Sequence, residues 1–568
     1  MRFSRISVLL IALLAALTLV SCNESVNSDD VVVETASLDL VKDGDTVFTI
    51  IRPELDENEA TIEQMKAIRD SFKDNTGVRI SMEIDWLKVG QEPDPEKYEI
   101  LLGQTNRPES KAALNGLKYN DYAVKIVGNK IVINGYSPEA QKKAADYFIN
   151  EILSKAQVGE DFTFTEEQNY VCKSEYPIDS VTFAGEEIYP YSIVLPSDGD
   201  ILKTEFANKL QKLFAEKTGY YLPFVKTRGE KSIEIENTSD RLKWNYSLND
   251  SSFVCAASGI WGFEMMYEAL EELFSSPKSI SLDNGWRIEG NLADSNDEAL
   301  VRASFTDGDL RVMFHNVWFG DVHNRDEYAA SIYLSYLPDI IGLQEFEPGW
   351  YLSEFFDMIS DEYKSVPLEP IPNTTRPNVV PIIYRYKKYE VIDSGWYAYA
   401  LPDESKAITW AVFEDKETGK RFGVANTHFG MIGAGGVPER VEDASELAEL
   451  VMEVAEKYSV SFIIGGDMNF RPTSDQAKKL YEYSWLNAHD NASVYASETS
   501  GHHQYPLLDD ATNTYSPSDE PKGDYLNAID HAFISGDFEI RVFDTVVHPY
   551  SLSISDHLPI YVDVKFND

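Results

Sequence analysis

The feature that most limits how this chain can fold is a series of short apolar runs, each ending in an acid, an amide or an imidazole. The clearest is Phe462-Ile463-Ile464-Gly465-Gly466-Asp467-Met468-Asn469-Phe470. An apolar run of this length, bounded by turn residues, fits a strand buried on both faces. Two glycines let the backbone turn sharply or approach a neighbour closely. Asp467 and Asn469 then stand as oxygen donors at the end of a rigid element, suited to a hard cation or a phosphate. An Asx-type turn would use the same two residues.

The pattern recurs five times. Arg311-Val-Met-Phe-His-Asn316 ends in Asn316, Pro338-Asp-Ile-Ile-Gly-Leu-Gln-Glu345 in Glu345, and Arg421-Phe-Gly-Val-Ala-Asn-Thr-His428 in Asn426 and His428. Ala528-Ile-Asp-His531 delivers Asp530 and His531, and Ile554-Ser-Asp-His557 delivers Asp556 and His557. One such end is a cap or a turn; six at the ends of strands sharing a core point to one site. All 9 histidines lie from His315 onward, which places the chemistry in the C-terminal segment. The donor set is rich in oxygen, without cysteine or a His-Glu-x-x-His pattern, and so favours Mg²⁺ or Mn²⁺ over structural zinc.

The order Asn316, Gln344-Glu345, Asn426-Thr427-His428, Gly466-Asp467-Met468-Asn469, Asp530-His531, Ser555-Asp556-His557 resembles the endonuclease/exonuclease/phosphatase superfamily, the deoxyribonuclease I-like enzymes, over about residues 305–568. The resemblance implies a four-layer α/β sandwich, two packed mixed sheets with helices outside, within an α+β chain. It also implies metal-dependent phosphoester hydrolysis by activated water. Glu345 would be the principal metal ligand, helped by Asn316 and Asp556. Asp467 and Asn469 would position the water and hold the phosphate. His557, paired with Asp530, would act on phosphate or water, and His428 would stabilise phosphoryl oxygens. Supporting roles fall to Tyr384 and Arg385 in Val379-Val-Pro-Ile-Ile-Tyr-Arg385, to Arg440 at a helix start, and to His531. Trp318 and Phe319 fit either the site mouth or the core, and His502-His503 reads as loop.

A chain of 568 residues needs several domains. At the N-terminus, Arg2 and Arg5 precede an apolar run from Ile6 to Val20, which ends in Leu19-Val20-Ser21-Cys22. That is the length of a signal-peptide core, and its end resembles a bacterial lipobox, implying lipidation of Cys22. The expected divisions are a signal at 1–21, a tether at 22–43, one small α/β module at 44–170, a second at 171–300, and the catalytic domain at 305–568.

The two modules read as one design used twice. Helices at Ala60 to Asp74 and Leu202 to Lys217 both stop at a Thr-Gly pair, Thr76-Gly77 and Thr218-Gly219. The closing hairpin-and-helix units, Val127 to Leu153 and Leu248 to Phe274, are equally long. The modules weakly resemble units that precede the catalytic domain in some bacterial glycan-active enzymes, which makes glycan an expected partner. Cys172 and Cys255 leave a disulfide open.

The expectation is thus an exported, lipid-anchored phosphoesterase at the cell surface, held at the membrane by lipid and acting on a phosphodiester or phosphomonoester. An extracellular nuclease is the first alternative, but a net charge of −45 repels nucleic acid at long range. A surface glycan-binding protein with a dispensable catalytic domain is the second.

Overall fold

The computed structural model describes residues 36–54, 60–88, 90–197, 199–250, 252–275, 278–366, 378–399, 406–430, 441–509, 512–518 and 523–567. Cys22 and Arg440 lie outside them. The described chain falls into two compact units: residues up to Asp179 with Lys212–Tyr221, and Ser180–Gln211 with Leu222–Asp568.

The first unit is built on a six-stranded sheet in the order Ser81–Ile84, Thr49–Arg52, Glu99–Leu102, Lys130–Gly135, Tyr122–Val127, Tyr170–Cys172. Its first four strands run parallel, and the fifth and sixth pair antiparallel. Alternate residues face opposite ways. Ile50, Ile100, Ile131 and Ile133 join Ile68 and Phe72 of helix Ala60–Thr76 in one core. Ile51, Leu101 and Val132 meet Ala113 of helix Pro108–Ala113 on the other face. The expected tether at 22–43 is corrected here: Ser37–Val41 is a strand paired with Phe162–Thr165, because Leu38, Leu40 and Val41 are apolar and buried. The module boundary at 170/171 also moves, since Tyr170–Cys172 pairs with Tyr122–Val124.

The second unit contains a six-stranded sheet in the order Phe224–Val225, Ser192–Val194, Ser232–Glu236, Ser252–Ala256, Lys243–Asn249, Arg287–Asn291. Taken in chain order, its strands have the same positions and directions as those of the first sheet. The two long helices also end alike. Thr76 Oγ1 donates to Phe72 O and Thr218 Oγ1 to Phe214 O, both at 2.6 Å. Gly77 and Gly219 then both take φ +78, the left-handed helix end that glycine favours. Cys172 and Cys255 are free thiols.

The remainder of the second unit is a sandwich. One sheet runs Tyr363–Ser365, Ile382–Arg385, Ile340–Gln344, Leu310–Asn316, Ile560–Phe566, Phe538–Thr545, Tyr495–Ala496; the other runs Tyr389–Ala398, Ala407–Asp415, Arg421–His428, Phe462–Asp467, Asp530–Ser535, Leu486–Asn487. Val312, Phe314, Ile463, Val424 and Val562 fill the space between the sheets. Their sequence neighbours point outward, Met313 and Tyr561 toward helix Arg325–Tyr336, and Phe462 and Ile464 toward helix Val441–Tyr458. These are four layers, and the strands are buried on both faces, as their unbroken apolar runs require.

The second six-stranded sheet and the sandwich share a core. Ile260 of helix Gly259–Leu273 packs in the cluster of Ala329, Tyr333 and Tyr336, and its N–H donates to Ser335 Oγ at 2.9 Å. Arg241 reaches the carbonyls of Ser304 and Ser335 at 2.8 and 3.2 Å. The expected break between 300 and 305 is therefore no break in packing.

Candidate active site

Register brings the polar strand ends together. Asn316 lies opposite Gln344 on its parallel neighbour, and His428 lies opposite Asp467. Asp530 starts an antiparallel strand, so it too stands opposite Asp467. Ile560 lies opposite Phe314 on an antiparallel neighbour, which carries the preceding Asp556 and His557 to the same edge. Glu345 follows Gln344 at φ +55, a conformation uncommon for a glutamate and found where structure over-determines the backbone.

The two glycines serve differently from a simple turn. Strand Phe462–Asp467 runs straight through both. A Cβ on Gly465 would come within 2.4 Å of the Phe314 ring, and one on Gly466, at φ +136, within 2.0 Å of Thr427 O. Bare glycine lets the sheets close on each other immediately behind the site. The turn follows at Asn469, φ +50, whose N–H donates to Asp467 Oδ1 at 3.0 Å. Asp467 thus makes the Asx turn with one oxygen and faces the site with the other.

Around Asp467 Oδ2 stand Asn316 Nδ2 at 3.0 Å, His428 Nε2 at 3.3 Å and His557 Nε2 at 3.8 Å. Asn316 Nδ2 also donates to Glu345 Oε1 at 3.2 Å. His557 Nδ1 lies 2.9 Å from Asp530 Oδ2. Burial alone would raise the Asp467 carboxyl, but His557, His428 and Lys406 beside it hold it below the usual carboxylate range. Burial opposes charge on His557 as well, yet Asp530 and Asp467 keep its imidazole well above the ordinary value. Burial pushes Asp530 and Asp556 upward, with His557 opposing in both.

Several expected residues are placed elsewhere. Strand Ile382–Arg385 is antiparallel to Ile340–Gln344, so Tyr384 pairs with Ile340, at the far end from Glu345. Arg385 there pairs with Asp339 and Glu362, and Tyr384 packs on Phe413. Four residues of strand put them about 13 Å from the site edge. His531 points to the opposite face from Asp530, as successive strand residues do. Its Nε2 donates to Phe470 O at 2.7 Å, its Nδ1 lies 3.2 Å from the Tyr525 hydroxyl, and burial pushes it down to about 4. Asn426 is consumed by structure, donating to Leu343 O, Val380 O and Pro381 O and accepting from Gln344. Asn316 enters as a donor, since its Oδ1 accepts from Trp318 N at 2.9 Å.

Two residues that sequence reasoning passed over are present. Lys406 is buried, with Nζ 2.5 Å from His428 Nε2. A lone lysine at the start of an apolar strand, Lys406-Ala407-Ile408, was the available signal. His502, read as loop, bridges His557 through the backbone and packs its ring 4.9 Å from that of His557.

Ligating atoms of Glu345, His428 and Asp467 lie within 4.8 Å of one another, as do those of His502, Asp556 and His557. Burial, with the charge of Glu345 adding to it, raises the Asp556 carboxyl above its ordinary value. Carboxylate oxygens at one buried edge, steadied by an amide, fit a hard divalent cation.

Residues 313–557 match the family model described as Endonuclease/Exonuclease/phosphatase family. The matched stretch runs from within the strand that ends in Asn316 to His557 and so contains every polar strand terminus gathered at this edge. Similar solved structures include a family protein from Bacteroides vulgatus (20% identity, 45% of this chain and 99% of that one, TM-score 0.35). A mannosyl-6-phosphatase from Bacteroides thetaiotaomicron is similar at 20% identity, covering 45% of this chain and 100% of that one, TM-score 0.35. The human Nocturnin catalytic domain with bound sulfate is similar at 19% identity, covering 45% and 94%, TM-score 0.35. No curated protein matches the chain.

Proposed function

We propose that this protein hydrolyses a phosphomonoester or phosphodiester at the edge where the two sheets meet, with Mg²⁺ or Mn²⁺. The observation that carries the reading is the arrangement around Asp467: one oxygen locked in a turn, the other facing Asn316, His428 and His557, with Glu345 alongside. Glu345 and Asp556 would hold the cation, and Asn316 orients Glu345 and Asp467. When bound, the cation supplies Lewis acidity to the phosphoryl group and stabilises the leaving oxygen.

Asp467 and Asn469 align a water with phosphorus. The water oxygen bonds to phosphorus as the ester P–O bond breaks; the water gives up one proton by way of the Asp467 carboxylate to solvent, and the leaving alkoxide takes one proton from solvent. His557, fixed through Nδ1 by Asp530, turns Nε2 and positive charge toward the phosphoryl oxygens. His428 and Lys406 add charge stabilisation from the other side. Positioning and charge neutralisation of this kind supply most of the catalysis in phosphoryl transfer.

The N-terminal signature supports export and a lipid anchor at Cys22, which labelled fatty acid and a Cys22→Ser variant would test. The identical strand order of the two six-stranded sheets supports a duplicated module, with glycan as the partner to be tried on an array. The acidic chain places small or lipid-linked esters ahead of nucleic acid.

The deciding experiment assays the purified chain on an aryl phosphomonoester and an aryl phosphodiester with Mg²⁺, Mn²⁺ or chelator. Hydrolysis is expected to require metal and to be lost in Asp467→Ala and His557→Ala. Hydrolysis indifferent to chelation, or surviving both substitutions, rejects the proposal.

A further inference from the structure

Helix Arg325–Tyr336 turns Tyr333 and Tyr336 into the sandwich core. A different face of it, Glu327, Ala330, Ser331, Leu334 and Ser335, spaced as one side of a helix, forms a wall of a cavity of about 340 Å³. The opposite wall comes from the second six-stranded sheet. Strands Ser192–Val194, Ser232–Glu236 and Ser252–Ala256 run parallel, and the segments that follow their carboxyl ends bring Asp200, Asn237 and Ser258 to the same space. From Ser192–Val194 the chain crosses to Phe224–Val225 on one side. From Ser232–Glu236 it goes on to Lys243–Asn249 and Ser252–Ala256 on the other. An open α/β sheet offers its ligand crevice at such a reversal, beyond the carboxyl ends of its strands. None of the lining residues is among those gathered around Asp467.

The polar groups of this cavity are incomplete. Arg241 donates to the carbonyls of Ser304 and Ser335 and pairs with no carboxylate among the described residues. Helix Gly259–Leu273 starts at the same Ser335, whose Oγ accepts from Ile260 N, and its N-cap side chain gives it nothing, since Ser258 Oγ donates to Thr238 O at 3.0 Å. A guanidinium and a helix start make this end positive. At the other end Asp200 caps helix Ile201–Thr218 through Leu202 N and Lys203 N, with Lys203 Nζ 3.7 Å away. Glu327 has no such cation among the described residues; burial raises its carboxyl above the ordinary value, and Asp326, Glu354 and Asp200 add to that. Between the ends, Ser331 is 8% exposed, and its hydroxyl has no partner among the described residues. Ile201, Leu334 and Met358 supply apolar surface. Buried polar groups are normally paired, so an unanswered cation, acid and hydroxyl around one mainly apolar space mark a place for a ligand.

Spacing sets the length of that ligand. Arg241 is bonded to Ser335, and Glu327 lies about 12 Å back along the same helix at 1.5 Å per residue. Extended peptide covers about 10 Å in about three residues, and a hydrogen bond at each end completes the distance. We infer that the cavity binds a short peptide of about three residues with free termini, its carboxylate at Arg241 and the start of helix Gly259–Leu273, its ammonium at Glu327, and apolar side chains against Ile201, Leu334 and Met358. This site is separate from the phosphoesterase reading and does not depend on it.

The test is isothermal titration calorimetry at neutral pH on the full chain, with trileucine, N-acetyl-trileucine, trileucine amide and hexanoate as probes. Wild type is compared with Glu327→Gln and Ser331→Leu, with melting curves confirming the fold of each. Trileucine is expected to bind at a single site, and acetylation or amidation each to weaken it about tenfold or more through loss of a charged hydrogen bond. Glu327→Gln should weaken trileucine about as much as acetylation does and leave the acetylated form unchanged. Ser331→Leu, which fills the middle of the cavity, should abolish trileucine binding. Absence of saturable binding to wild type, equal affinity for trileucine and for its capped forms or hexanoate, or unchanged trileucine affinity in either folded variant overturns the inference.

Discussion

Gly466→Ala is the substitution for which the structure gives the sharpest expectation. The new methyl would need φ near +136 and would lie 2.0 Å from Thr427 O, a backbone atom of the neighbouring strand that cannot rotate away. A non-glycine residue in this region costs about 1–2 kcal/mol. Relieving the overlap parts the Thr427–Gly466 pair by about 1.4 Å, the amount needed to bring 2.0 Å to an ordinary contact of 3.4 Å. That weakens one or two buried ladder hydrogen bonds at about 1–3 kcal/mol each. The sum is about 2–8 kcal/mol. Gly419→Ala isolates the first contribution, because Gly419 also has positive φ, +71, but nothing within 4 Å of its Cβ direction. Thermal melts should therefore show Gly466→Ala clearly below Gly419→Ala. Asp467 is the next residue and His428 follows Thr427, so the parted strands also misplace the site; turnover should fall about 100-fold, as misplacement by about 1 Å does elsewhere. Equal melting temperatures would refute the claim of close backbone approach, and a destabilised variant with wild-type turnover would refute the claim that this strand end aims Asp467.

Further outcomes follow from single contacts. Lys406→Met removes the ammonium 2.5 Å from His428 Nε2 and should lower turnover about 100-fold in steady-state assays, with little loss of melting temperature. Glu345→Gln removes one carboxylate charge from the cation site and should raise the Mg²⁺ concentration for half-maximal activity at least about tenfold in a metal titration. His531 is held down to about 4 by burial, against an ordinary value of 6.5, so the unfolded chain binds its proton first. Its contribution is present at neutral pH and lost as pH falls from 6.5 toward 4, about 3 kcal/mol in all, and denaturant melts at pH 7 and 4.5 should show a smaller difference in His531→Gln. Arg311 and Asp563 form a fully buried pair at 2.7 Å; Arg311→Met should cost about 3–5 kcal/mol in the same melts, and adding Asp563→Leu should return part of it.

The N-terminal half shows what periodicity can and cannot deliver. Helix Ala60–Thr76 was legible from Ile62, Met65, Ile68 and Phe72 at helical spacing and from the Thr-Gly stop, and Gly77 does take the left-handed conformation. Strand Ser232–Glu236 was equally plain. Strand Ser37–Val41 was not, because it follows a polar stretch and owes its structure to pairing with Phe162–Thr165, more than 120 residues away. Where a strand is made by its partner, local composition carries little signal. The shared core of Ile260 with Tyr333 and Tyr336 was hidden for the same reason: apolar residues on a helix announce burial, and not against which element.

At the site, legibility follows the same physics. Asn316, Glu345, His428 and Asp467 were readable because they stand at the ends of apolar strands, and Asp530 and His557 because they stand at or just before the starts of others; a buried strand cannot carry a polar terminus without somewhere to direct it. The error with Tyr384 and Arg385 shows the limit of that rule. They too end an apolar strand, Ile382–Arg385, but its antiparallel course brings its end to the Asp339 edge, where Arg385 finds carboxylates of its own. Strand direction, which a single sequence does not display, decides which of two sheet edges receives the polar groups. Lys406 and His502 failed to register for other reasons. Lys406 is a lysine, a residue type ordinarily left in solvent beside a strand, and antiparallel pairing with Arg421–His428 brings its end of the strand to His428. His502 belongs to no long strand and reaches the site only through its bridge to His557. A rule that looks for acids, amides and imidazoles at the termini of apolar strands therefore finds Asp530 and His557 at antiparallel starts as well as Asp467 at a parallel end, and misses a lysine at such a start and a histidine in a loop. Both missed residues, Lys406 and His502, are basic, so sequence reading alone makes the site look more acidic than the structure shows it to be.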